Sequence, residues 1–148
     1  MSFTVDGTSG LTFPNSTTQA SAGGMTLLGT ITPTSANSIS ISGLNLTNYK
    51  QLNIVVNNLS TTSTADDVFM SSNNSQTVGY IGTFSSTSTQ FQTFIFVDLA
   101  TSVQSAMLGG AIAQKVGNIT TSTTTIYFRC ASTYLFGATG TIRIYGVS

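Results

Sequence analysis

The sequence predicts an all-β protein, an antiparallel β-sandwich of about eight strands preceded by an extended N-terminal arm. Three observations carry that prediction. Charged residues make up only 5% of the 148-residue chain, and Glu is absent, so the usual charged helix formers are nearly missing while Thr, Ser, Ile, Val and Phe abound. From Met25 onward, short apolar runs recur between clusters of Ser, Thr, Asn and Gly, the pattern of a sandwich or barrel. Several runs alternate strictly, which sets apolar side chains on one face of a strand and polar ones on the other.

The texture changes at Gly23-Gly24, dividing the chain into residues 1–24 and 25–148. In the first part Phe3, Val5, Leu11 and Phe13 stand isolated among Gly, Ser, Thr, Asn and Pro. Such a stretch buries too little surface to offset its own ordering entropy. Its spacing is nonetheless regular: Phe3-x-Val5-Asp6-Gly7, then Leu11-x-Phe13-Pro14-Asn15, each a short extended segment closed by a turn-forming pair. An arm of this kind becomes ordered when another surface supplies the missing contacts. Residues 1–24 are therefore expected to form an attachment arm, with Phe3, Val5, Leu11, Phe13 and Pro14 as its partner-binding residues.

Residues 25–148 read as one β-domain, long enough to hide about 70% of its unfolded surface and so to build a core without staples. Met25 to Thr32 forms a first strand, stopped by Pro33. Ser38-Ile-Ser-Ile-Ser42 alternates cleanly, with Ile39 and Ile41 inward. Leu44 and Tyr49, in the following connection, are expected to plug one end of the core. Residues 50–57 make a strong strand with Leu52, Ile54 and Val56 on one face. A break through Ala65-Asp66-Asp67 leads to the short strand Val68-Phe-Met70, and Asn73-Asn74 turns the chain into residues 77–84.

The run Phe91-Gln-Thr-Phe-Ile-Phe-Val97 is expected to be buried on both faces or central in its sheet. Leu99 to Gln114 reads as strand–turn–strand with room for a single helical turn within it. Ile126 to Cys130 follows, with Ile126 and Phe128 inward and Cys130 as a small buried hydrophobe. The last strand points Ile142 and Ile144 inward and Arg143 and Tyr145 outward. A jelly-roll-like closure is the natural one for this number of antiparallel strands.

Composition excludes most chemistry. There is no His and one Cys, so neither a Ser-His-Asp nor a Cys-His arrangement can form within the chain, and the usual zinc ligand sets fail. Asp66-Asp67 is the only adjacent carboxylate pair, and neighbours on a strand point to opposite faces. The expectation is no catalytic residue, no metal ligand, no cofactor and no enzyme activity. A net charge of zero removes the basic footprint that nucleic-acid binding requires, and no apolar run reaches membrane-span length. Ser and Thr together number 48, so the polar surface is made of hydroxyls and amides, which suits a protein packed against neighbours. Tyr80, Tyr127, Tyr134 and Tyr145 fall on outward faces or loops. Tyr134, Leu135, Phe136 and Tyr145 are the candidate surface contacts, Tyr134-Leu-Phe136 being an apolar patch beside a Gly-rich turn.

Residues 5–19, VDGTSGLTFPNSTTQ, resemble the phrase TVDGT-x-GLTFPDGTTQ of tailed-bacteriophage virion proteins, especially tail-fibre and related appendage proteins. Asn15-Ser16 stands where Asp-Gly is commoner, which keeps turn chemistry. Residues 140–147 are similar to the closing strand of small β-domains in such proteins. The resemblance implies a non-enzymatic structural protein of the virion, made in the host cytoplasm. It would be a tail-fibre or appendage component whose partners are other virion proteins, copies of itself (a trimer) and a host-surface glycan. A head-decoration (cement) protein and a lectin-like carbohydrate-binding module are the alternatives.

Overall fold

Alternation along the chain resolves into two facing sheets. The computed structural model describes residues 4–6, 10–12, 18–19, 24–75, 79–86, 92–101, 103–107, 111–115 and 119–148. Strands β1 (Thr4–Asp6), β2 (Gly10–Thr12) and β3 (Thr18–Gln19) pair antiparallel in a small sheet of their own. The domain proper runs through β4 (Met25–Ile31), β5 (Ser38–Ser42), β6 (Gln51–Asn57), β7 (Asp66–Ser71) and β8 (Tyr80–Phe84). It continues through β9 (Gln92–Asp98), β10 (Val103–Met107), β11 (Ala111–Lys115), β12 (Thr125–Cys130) and β13 (Thr141–Val147). One sheet has six strands in the order β11-β10-β9-β6-β13-β4, the other four in the order β5-β12-β7-β8.

Leaving aside the β10–β11 hairpin, the eight remaining strands pair first with last and so on inward. β4 pairs with β13, β5 with β12, β6 with β9 and β7 with β8, all antiparallel. That is one long hairpin folded across two sheets, the jelly roll. The expected eight-strand sandwich is present, and Val103–Met107 and Ala111–Lys115 are the two paired strands expected in this stretch, β10 and β11, with no helix among the described residues.

The inner faces meet in a single core. Leu52, Ile54 and Val56 of β6, Ile95 and Val97 of β9, and Ile142 and Ile144 of β13 are buried, as the alternation predicted. They face Ile39 of β5, Val68 and Met70 of β7, Ile81 and Phe84 of β8, and Ile126, Phe128 and Cys130 of β12. Each such side chain stabilises the fold by about 1.5–3 kcal/mol.

The sandwich is closed at both ends of β6. At its start Leu44 is buried, and the half-buried Tyr49 ring lies on Gly146, where any Cβ would come within 2.5 Å of a ring carbon. At its finish Phe136 fills the core, held by a bridge between Thr61 and Phe136 and by its N–H donating to the Ala36 carbonyl at 2.9 Å. Gly140, at φ +91°, allows the chain to turn into β13 against the Asn57 and Asn58 carbonyls, where a Cβ would approach to 2.6 and 2.5 Å.

β9 meets the second of its two expectations, a central place in its sheet, and not the first, burial on both faces. It is interior to its sheet, between β10 and β6, but only its inward side chains are covered. Phe94 is 41% exposed and Phe96 half-buried. Among the described residues no third layer lies over the outer face of the six-stranded sheet, so a continuous apolar run there leaves every second side chain uncovered.

Candidate interaction surface

The outer face of the six-stranded sheet is the most distinctive surface of the molecule. Because Ile95 and Val97 point inward, Phe94, Phe96 and Asp98 point outward, and pairing carries this parity across the sheet. Phe94 lies level with Val55 of β6, Arg143 of β13 and Thr30 of β4. Phe96 lies level with Asn53, Tyr145 and Leu27, the last after a bulge that accommodates Leu28 as an extra residue in β4. Met25 and Val147 continue the face.

Side-chain contacts agree with this register. Asn53 Nδ2 donates to Met25 Sδ at 3.1 Å, so Met25 reaches across β13 over the outer face, and Gln51 Nε2 donates to Asn53 Oδ1 at 2.7 Å. Met25 is 61% and Leu27 52% exposed. Large apolar side chains on adjacent strands of one face mark a contact surface more often than they serve solvent. Within β4, β6, β9 and β13 the only charges are Arg143 and Asp98, both exposed. Asp98 Oδ1 accepts from the N–H groups of Ala100 and Thr101, which fixes it at the turn that ends β9.

The candidate contacts read from the sequence divide. Tyr145 lies half-buried within the outer face, between Asn53 and Leu27. Tyr134 is 46% exposed, and its carbonyl accepts from Asn37 Nδ2 at 2.8 Å; Leu135 is half-buried, its carbonyl accepting from the Thr62 N–H. Phe136 is not a surface residue. Its bridge to Thr61 turns the ring inward, where it is fully buried, so the expected three-residue patch reduces to Tyr134 and part of Leu135.

In the N-terminal segment Val5 and Leu11 occupy facing register positions of β1 and β2, so the two extended halves pair with each other. Phe3, Phe13 and Pro14 lie outside the described residues. Sequence reasoning missed Met25, Leu27 and Phe94 as surface residues. The available signal was the unbroken run Phe94-Ile-Phe-Val97 in an antiparallel sheet, which is covered on both faces only if a third layer exists.

Elsewhere the chemistry is sparse. Asp66 is buried and accepts from the Ser132 hydroxyl at 2.8 Å, whereas the half-buried Asp67 accepts from Thr83 at 2.6 Å, the two carboxylates facing apart as adjacent strand residues must. Burial, and then the charge and hydrogen bonding of Asp66, push the Cys130 thiol up to about 12. No cluster of three or more His, Cys, Asp or Glu that could hold a metal occurs among the described residues. A cleft of about 380 Å³ is lined by Ser72, Thr120, Ser122, Thr123, Thr124, Thr125 and Tyr127, offering hydroxyls and one phenol ring but neither a carboxylate nor a basic group. The chain matches no protein-family model and no curated protein.

Proposed function

We propose that this chain is a non-enzymatic structural subunit of a tailed-bacteriophage particle, a tail-fibre or tail-appendage component that works by assembling with copies of itself and with other virion proteins. The observation that carries the assembly reading is the apolar outer face of the six-stranded sheet, where Met25, Leu27 and Phe94 are left open. A neutral, hydroxyl-rich surface supports it, since little charge opposes close packing. The phage resemblance of residues 5–19 supplies the particle, and the jelly roll is a fold that capsid and lectin domains share. Here the closed core makes a rigid block, and the N-terminal segment is its attachment device.

The cleft beside Tyr127 supports a second reading, a carbohydrate-binding module. There an aromatic face would stack on a sugar and Thr120, Ser122 and Thr124 would hydrogen-bond its hydroxyls.

Antibody-gold labelling of intact source particles tests the main reading. Gold on fibres or the tail tip is the expected result. Gold spread over the head would replace it with a capsid-decoration role, and unlabelled particles would remove the virion reading altogether.

A further inference from the structure

We propose that the outer face of the six-stranded sheet is a self-association surface on which two copies of this chain pack face to face about a two-fold axis. The inference rests on the assembly reading in one respect, that the chain binds itself, and adds where and with what symmetry. Both copies then present the same patch, so the patch must complement itself.

Of the three charges that the register places on the face, Arg143, Asp98 and Lys115 of β11, the first two meet that requirement. Arg143 stands level with Phe94, two strands away, and Asp98 lies four residues further along β9. At about 4.8 Å per strand and about 3.3 Å per residue, they are roughly 10 Å apart across the sheet and 13 Å along it, too far to pair within one copy. The midpoint between them falls near Asn53. Turning a second copy over about an axis in the interface plane through that point sets Arg143 of each copy opposite Asp98 of the other, giving two reciprocal ion pairs. The same rotation lays Phe96 over Val55 of the second copy, apolar on apolar. Strands of the two sheets then cross steeply, close to the orthogonal mode of sheet packing.

Size agrees. Six strands and a span of about six residues cover about 29 by 20 Å, or about 600 Å² per copy, at the lower edge of specific protein–protein interfaces. Association should therefore depend on concentration. Arg143 and Asp98 lie at opposite corners of the region around Asn53, with Lys115 two strands beyond Asp98 at the far edge, and this mixed-sign pattern matches a second copy of the face better than a surface of a single sign. A two-fold arrangement takes the place of the threefold one that the resemblance implies.

Sedimentation velocity of the full chain across the micromolar range tests this. The wild type should move from 15.4 kDa toward twice that mass. Leu27→Lys should stay monomeric, and Arg143→Asp and Asp98→Arg should each weaken association at least about tenfold, because each sets like charges face to face. An equimolar mixture of those two variants re-forms both opposite-charge pairs and should recover dimer, which separates lost pairing from damage to the turn that Asp98 caps. Circular dichroism of each variant checks the fold. Wild-type chain that remains monomeric throughout overturns both this proposal and the self-assembly reading. Association undiminished in all three variants, a trimeric mass, or a mixture that fails to recover overturns this surface and symmetry while leaving self-assembly standing.

Discussion

Cys130 ends the inward row Ile126, Phe128, Cys130 and lies fully buried beside the Asp66 carboxylate. Both surroundings oppose the thiolate, raising its pKa from 9.0 to about 12. The folded chain therefore holds this proton after the unfolded chain has released it. Below pH 9 both states are protonated and the full stability is present. Between pH 9 and about 12 it falls by up to about 1.4 kcal/mol per pH unit, and above that the contribution is lost. Urea denaturation at a series of alkaline pH values should show a shallower decline for Cys130→Ala than for the wild type. Parallel declines would mean that the thiol is not held neutral by its site. Phe136 shows how far a single residue can escape sequence reading. Its neighbours Tyr134 and Gly137 mark a loop, and only the distant partners Thr61 and Ala36 turn the ring into the core.

Strand β9 carries the sharpest contrast between the two faces of one element. Ile95 is fully buried between the sheets and Phe94, the adjacent residue, is 41% exposed. Ile95→Ala should cost about 2–5 kcal/mol, because it opens a cavity between two packed layers. Phe94→Ala should cost below about 1 kcal/mol in dilute protein, in place of the 3–5 kcal/mol that an enclosed ring would imply. Denaturant midpoints of the two variants at low concentration check this; equal losses would mean that the outer face is covered within the monomer. The period-two alternation made β5, β6, β12 and β13 legible, inward residues included, because their second faces are polar or mixed. β9 was not fully legible, since an apolar run records that a strand is apolar on both sides and not which side meets another layer. β10 and β11 were readable as two strands from Gly109-Gly110 between short runs, but their place at the edge beside β9 depends on long-range pairing that no local pattern encodes.

For the molecule as a whole, the number of strands was legible and the order was not. Nested pairing of β4 with β13 through β7 with β8 joins residues up to about 120 positions apart, as in Met25 with Val147, and it is the closing of the wrapped hairpin, not any one segment, that defines the jelly roll. The expected boundary at Gly23-Gly24 falls just before β4. β4 starts at Met25, every residue of the buried core lies at Ile31 or beyond, and β1, β2 and β3 form a sheet among themselves. The sandwich therefore owes none of its described core to residues 1–24. Deleting them should leave residues 25–148 folded, with a melting temperature within a few degrees of the full chain, because every contact of the described core is retained. On the proposed attachment role of the segment, the same deletion should abolish incorporation into particles. Complementation with the truncated chain, followed by detection in purified particles, reads the second effect and thermal melting reads the first. An unfolded truncation would move the boundary and make the segment part of the core. A folded truncation that still enters particles would transfer attachment to the sandwich, with the outer face of its six-stranded sheet as the surface available to provide it.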